Sequence, residues 1–320
     1  MALLAATPSS LHRVPDPDSQ DATCRPAPVV LDRGVRTVRA SSDAAYAATG
    51  DGLFVSEDGG ETWTRTALDA DVHSVTADGR LAGTRPLGVY RRVDGDWHRL
   101  GGLDDLADHA GWPTPSFRDE AWARSLASDG DRVLVGVEVG GLAVRDLDGT
   151  WRSTGPTEPD PDGHQRRDDV HHVAVRRADE WLLATGAGVF RTTNAGADWT
   201  RLDTGERRYA REVGLADGHA WVGVNDSPPR WRPPDAAVYL SLRGDARTGD
   251  GQQDGLQRLE YPGEPTRFLL SWADGDGARY AGANDGTILR FGDGGVTVTA
   301  RVPVEEEAAT AYGVLSLAVV

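Results

Sequence analysis

The sequence has no lysine, one cysteine, one methionine and no long apolar run. Each absence excludes something. With Cys24 alone, no intramolecular disulfide can form, so packing and hydrogen bonds must hold the fold. No apolar stretch approaches the roughly 18 residues that a membrane-spanning helix needs. The apolar stretch Met1–Ala6 is short, has no positive charge ahead of it and no twin-arginine pair nearby, so it makes a poor export signal, and a cytoplasmic location is expected. All 34 basic residues are arginine, against 50 acids, for a net charge of −16. That balance argues against wholesale binding to nucleic-acid phosphates. No stretch carries the period of a long amphipathic helix, and there is no Gly-rich phosphate loop, nucleophile elbow or His-Glu-x-x-His.

What is present is turn chemistry and repetition. Glycine (39) and proline (18) punctuate short runs of Val, Leu, Ala, Tyr and Trp, the pattern of strands joined by tight turns. Segments beginning Gly52-Leu53-Phe54, Gly88-Val89-Tyr90, Gly141-Leu142-Ala143 and Gly188-Val189-Phe190 recur, followed by looser copies at Ala237-Val238-Tyr239 and Gly286-Thr287-Ile288; the spacings are 36, 53, 47, 49 and 49. Repeats of about 40–50 residues with four strands each are propeller blades. A lone meander cannot bury both faces, whereas stacking units radially buries them against one another. The expected fold is therefore all-β: a seven-bladed β-propeller of four-stranded antiparallel blades in one domain, 1–320. Its complete blades lie near 35–70, 71–103, 122–155, 168–205, 208–260 and 264–303. The seventh combines 312–320 with 1–34, so the ring closes through a blade shared between the termini and no free edge remains.

The turn after the third strand of the first unit reads Ser56-Glu57-Asp58-Gly59-Gly60-Glu61-Thr62-Trp63, and a relaxed copy reads Thr192-Thr193-Asn194-Ala195-Gly196-Ala197-Asp198-Trp199. These resemble the Asp-box (BNR) repeats of sialidase-like, sortilin-like and photosystem II assembly-factor-like propellers. The resemblance implies the propeller fold over most of the chain and a structural role for Ser56, Asp58, Gly60, Thr62, Trp63, Asn194, Gly196 and Trp199. Asp58 would accept backbone N–H groups within its turn, which turn chemistry accounts for without a catalytic or calcium-binding role. Sialidases add an arginine triad, a tyrosine nucleophile and an acid pair. Their Arg-Ile-Pro element has only the echoes Arg13-Val14-Pro15 and Arg301-Val302-Pro303, so that chemistry is not carried over. The lysine-free acidic composition is similar to that of haloarchaeal proteins, which implies work in molar salt, where the Debye length falls to about 3 Å and like charges hardly repel. Acidic solubility with arginine-favouring codons accounts for the same counts.

In a propeller the connections between blades and the second-to-third-strand loops share one face. Three large insertions, Gly101–Ala121, Gly155–Asp169 and Asp226–Ala236, fall there, and Gly244–Leu256 falls on the other. Long loops carry function. The candidates for binding a partner or an anion are Trp112, Arg118, Arg166, Arg167, Arg207, Arg208, Arg211, Arg230, Trp231 and Arg232, because arginine forks match carboxylates and Trp anchors interfaces. Local pairing with nearby carboxylates is the competing account of those arginines. His171 and His172 alternate faces on a strand, so they do not share a metal. Glu138 is a lone acid near the axis. No catalytic set, metal site or cofactor stands out. The expected function is a non-catalytic binding or assembly scaffold, monomeric, taking a protein partner or a small anionic ligand, with no nucleic acid or membrane. The alternative is a sialidase-like glycoside hydrolase or lyase with a site at the mouth of the central channel.

Overall fold

The computed structural model describes residues 1–19, 28–112, 120–138, 140–156, 169–203, 207–229, 231, 233–241, 256–275, 277–304 and 312–320. Glycine and aspartate at positive φ, such as Gly52, Asp94–Gly95 and Gly286, turn the chain between short apolar runs, which pair in antiparallel register. The result is seven four-stranded sheets. The innermost strands are Val35–Ala40, Asp71–Val75, Trp122–Asp129, Val170–Arg177, Tyr209–Ala216, Leu269–Gly275 and Ser316–Val319. Each touches the next and the last touches the first, so they surround a central channel.

Closure is by mixed termini. Ser316–Val319 pairs antiparallel with Ala2–Ala6, which pairs with Leu11–Pro15, and that strand with Val29–Leu31. The seven-bladed ring with a shared closing blade is therefore as expected. Leu3, Leu4, Ala5 and Ala6 are fully buried. Leu3 and Ala5 pack with Tyr280, Ile288 and Leu317 toward the sixth blade, whereas Leu4 and Ala6 pack with Val35, Ala47 and Phe54 toward the first. Alternation along one strand thus serves both interfaces.

The turns at Asp58 and Asn194 lie opposite the inter-blade connections and act as latches. Asp58 Oδ1 accepts from Glu61 N (3.0 Å) and Thr62 N (2.9 Å), and Thr62 Oγ1 donates to Oδ2 (2.5 Å). The Thr62 hydroxyl and amide, with Ser56, hold this carboxyl far below the usual range. Gly60 presses on the closing blade, where a Cβ would meet Leu4 Cδ2 at 2.5 Å, and Arg13 Nε donates to Gly59 O (2.9 Å). In the second copy, Asn194 Oδ1 accepts from Asp198 N (2.9 Å), Thr192 Oγ1 accepts from Gly196 N (3.0 Å), and Gly196 O accepts from Thr154 Oγ1 of the preceding blade (2.5 Å). Trp63 and Trp199 are half-buried beside these turns.

The insertion Gly101–Ala121 contains one feature the sequence reading lacks, a helix at Leu103–Ala110. Gly102 and Gly111 bracket it in left-handed conformations, and Leu103 and Ala107 bury against the second and third blades. Two turns are too few for a periodic signal, and the helix depends on that packing. Among the described residues no helix is long and apolar enough to cross a membrane.

Burial ranks the tryptophans. Trp181 is 0 % exposed and its indole donates to Asp129 Oδ2 at 3.0 Å. Trp181→Ala should cost about 3–5 kcal/mol, and Trp63→Ala, at a half-buried site, less than half of that, in urea titrations at fixed salt. Equal losses would show that the two rings are packed alike.

Candidate functional site

At or beside the start of each inner strand lies the same tetrapeptide pattern: apolar, variable, polar, apolar. The seven copies are Val35-Arg36-Thr37-Val38, Val72-His73-Ser74-Val75, Ala123-Arg124-Ser125-Leu126, Val170-His171-His172-Val173, Ala210-Arg211-Glu212-Val213, Leu269-Leu270-Ser271-Trp272 and Val314-Leu315-Ser316-Leu317. In all six complete blades the register slips here. The skipped residues are Arg36, His73, Arg124, His171, Arg211 with Glu212, and Leu270. A bulge re-aims one side chain and bends the strand. Repeated around the ring, it sets a circle of special residues at the channel mouth on the face of the inter-blade connections.

One step below, the third residue of each pattern stitches the blades. Thr37 Oγ1 donates to His73 O (2.8 Å), Ser74 Oγ to Ala123 O (2.8 Å) and Ser271 Oγ to Val314 O (3.1 Å). Ser125 Oγ accepts from Val173 N (3.0 Å), and Ser316 Oγ accepts from Val38 N (3.1 Å). The fourth and fifth blades depart from this rule by carrying His172 and Glu212.

The mouth is lined by arginine–carboxylate pairs on one side and by aromatic rings on the other. Arg36 pairs with Asp71, and Arg124 with Glu138. Arg85 pairs with Glu120 at 2.6 Å and lies 4.7 Å over the Trp122 ring, which also faces His73 at 5.7 Å. Burial, and then the charges of Arg36, Arg124 and Arg85, push His73 down to about 2, so it is neutral. His171, 5 % exposed, joins Ala210 O through Nδ1 (2.5 Å) and has Asp169 Oδ2 3.2 Å from Nε2. Across the mouth, Tyr209 and Tyr312 share a hydroxyl contact of 2.8 Å, Phe268 and Leu270 pack beside them, and the Arg211 guanidinium sits 4.6 Å over the Tyr312 ring. Burial raises the Tyr209 hydroxyl well above its usual range.

Below this layer the channel is barred. Arg39 of the first blade reaches Glu212 of the fifth at 3.1 Å and Ser316 Oγ at 2.8 Å, with His172 Nε2 at 3.4 Å. Beneath the bar, toward the opposite face, a cavity of about 630 Å³ is lined by Trp272, Trp221, Asp274 and Arg279. Burial raises Glu212 to about 7 against the pull of Arg39, and burial with Arg39 lowers His172 to about 3.

The sequence-predicted site residues scatter. Arg207 pairs with Asp235 (2.8 Å). Arg208 is half-buried and its amide donates to Asn225 O (3.0 Å). Trp112 packs beneath the helix against Gly140. Arg211 lies on an inner strand, Tyr209–Ala216. Trp231 stands 55 % exposed on the Asp226–Ala236 loop, the one exposed aromatic side chain among the described residues. Arg118, Arg166, Arg167, Arg230 and Arg232 lie outside the described residues, as does most of Gly244–Leu256. Glu138, read as a lone acid, has Arg124 as partner, and Asp169 and His171 close by. The sequence reading missed Arg36, His73, Arg85 and Arg124, although the sevenfold tetrapeptide would have shown three of them.

No family model matches the sequence, and no curated protein matches it. Solved structures do. The likeness is one of fold. YCF48 from Cyanidioschyzon merolae is similar over 93 % of this chain and 88 % of its own, with TM-score 0.56 and 14 % identity. A second structure, YCF48 bound to D1 peptide, aligns over 82 % and 81 %, with TM-score 0.53 and 14 % identity. An ancestral GH74 enzyme aligns over 83 % of this chain but 37 % of its own length, with TM-score 0.55 and 16 % identity. Propellers that bind peptides and propellers that are enzymes thus share this architecture, and fold alone does not choose between them.

The barred channel makes stability depend on pH in a definite sense. Glu212 has a folded value raised from 4.5, so its contribution is full below about 4.5 and is lost as pH rises through about 7. His172 and His73 are lowered from 6.5, so theirs is present above 6.5 and is lost as pH falls through about 3 and about 2. Between 4.5 and 6.5 the carboxyl opposes the histidines, and only a comparison isolates it. Glu212→Gln should gain stability relative to wild type by about 2–3 kcal/mol between about pH 5 and about pH 8.5, read from paired urea titrations. A constant difference across that range would show that Glu212 ionises normally.

Proposed function

We propose that the protein is a non-catalytic binding or assembly propeller that takes a protein partner or an anionic ligand on the face bearing the channel mouth. The observation that carries this reading is the ring of bulges. It commits every complete blade to displaying a side chain at one circle, and five of those blades display arginine or histidine there. Arg211 over Tyr312 and the exposed Trp231 supply the residue types that dominate binding energy at interfaces. In a protein of net charge −16, arginines gathered at one mouth offer forked donors to anionic groups. The solved neighbours that bind a peptide lend the reading support at the level of fold. A cytoplasmic, salt-rich setting, a monomeric state and a structural Asp-box role for the Ser56–Trp63 and Thr192–Trp199 turns belong to the same proposal.

A second reading, a sialidase-like hydrolase or lyase at the same mouth, is favoured by one observation: Arg36, Arg85 and Arg124 act together on His73, with Glu138 and Asp169 alongside. Turnover of acidic oligosaccharides that Glu138→Gln abolishes while binding persists would select it.

The leading reading predicts that Arg211→Ala and Trp231→Ala each weaken partner capture in molar KCl by about 30-fold, the scale of a hot-spot residue. Their melting temperatures should stay within a few degrees of wild type, because neither side chain is in the core. Capture by both variants at the wild-type level would remove this face from the function.

A further inference from the structure

We infer that Glu138, Asp169 and His171 form a binding site for a divalent first-row metal ion, of the zinc or manganese kind, at the channel mouth between the third and fourth blades. The donor atoms of these three residues all lie within 4.8 Å of one another. They come from three separate backbone positions: the last residue of the strand Arg132–Glu138, the residue before the strand Val170–Arg177, and the bulge in that strand. Asp169 and His171 are two residues apart, and the fold brings Glu138 to them.

The orientation of His171 suits a cation ligand. Its Nδ1 is 2.5 Å from the carbonyl oxygen of Ala210, a group that can only accept, so Nδ1 carries the proton. In the neutral ring this leaves the lone pair on Nε2, which faces Asp169 Oδ2 at 3.2 Å. Two acceptors repel unless positive charge lies between them, and a divalent ion bound to both, or a second proton on the ring, supplies it. A metal with bonds of about 2.0–2.2 Å holds neighbouring ligand atoms about 3.0–3.5 Å apart, which the observed separation matches. A metal-bound histidine also typically gives its other N–H to a backbone carbonyl, which fixes the tautomer. The Tyr209 ring, 4.8 Å away, packs beside the imidazole.

One nitrogen and two carboxylates suit a borderline-to-hard divalent ion. Arg124 holds Glu138 through Oε2, which orients the carboxylate and, as a neighbouring positive charge, weakens the hold on a cation. The competing arrangement has a second proton on His171, donating to Asp169, with no ion. The proposal stands apart from the ligand reading above, because its readout is the metal alone.

The test uses the full chain with Cys24→Ser, which removes the thiol as a rival ligand. Titration with Zn²⁺ and with Mn²⁺, by calorimetry and equilibrium dialysis, should give one equivalent bound with Kd of about 10 μM or tighter for at least one ion. His171→Gln should weaken this by about 30-fold or more, and Glu138→Gln and Asp169→Asn by about 10-fold or more. Visible absorption of the Co²⁺-loaded protein should change in His171→Gln, reporting loss of the nitrogen ligand. If His171→Gln fails to fold, Asp169→Asn, at the more exposed of the two carboxylates, carries the comparison. Absence of binding tighter than about 1 mM, or binding undiminished in His171→Gln and Asp169→Asn, would overturn the assignment.

Discussion

A propeller is a sheet stack that must end where it began, and here the constraint is met by pairing Ser316–Val319 with Ala2–Ala6. Until that pairing forms, the first and sixth blades each have an apolar face with nothing against it. Leu3 and Ala5 cover one face and Leu4 and Ala6 the other, so four consecutive residues of one strand complete two interfaces. The same closure completes the circle of inner strands. Ser316 bonds Val38 in both directions and steadies Arg39, so the bar across the channel exists only in the closed ring.

Closure also gives the mouth its character. Once the inner strands are held in a circle, a bulge at the same register in each complete blade turns one local irregularity into a ring. Which residue occupies each bulge then decides the chemistry. Arginine and histidine fill it in the first five blades and leucine in the sixth, so the mouth is polarised across its diameter. The second layer works by the opposite logic. Small hydroxyl side chains bridge adjacent strands wherever the pattern is kept, and the two departures, His172 and Glu212, sit where the bar crosses. Both are buried beside one arginine, and the cost of burying charge drives the carboxyl toward its protonated form and the imidazole toward its neutral one.

The repeat, the strand order and the shared closing blade were legible before any coordinates, because turn residues at fixed spacing and short apolar runs are local signals. The turn at Asp58 was legible for the same reason: Ser56, Asp58 and Thr62 find their partners within a few residues. The helix at Leu103–Ala110 was not, since it is held by what it packs against. The candidate site was only partly legible. Arginine-rich loops stand out in the sequence, and there Arg207 pairs with Asp235, whereas Arg36, Arg85 and Arg124, in strands that read as ordinary core, carry their own carboxylate partners at the mouth. A strand residue's direction follows from alternation only while the register holds, and the bulge breaks alternation at the very residue that matters.

By itself, then, the sequence determined that the chain repeats, that each repeat is a four-stranded meander, and that its ends belong to one sheet, because these follow from periodicity and turn chemistry acting over a few residues. Only the tertiary structure decided that Glu138, Asp169 and His171 meet, that Arg39 finds Glu212 173 residues away, and that Tyr209 finds Tyr312. Those meetings depend on the angle between blades and the slip in each inner strand. Both are set by packing around the whole ring, and neither is encoded at any single position.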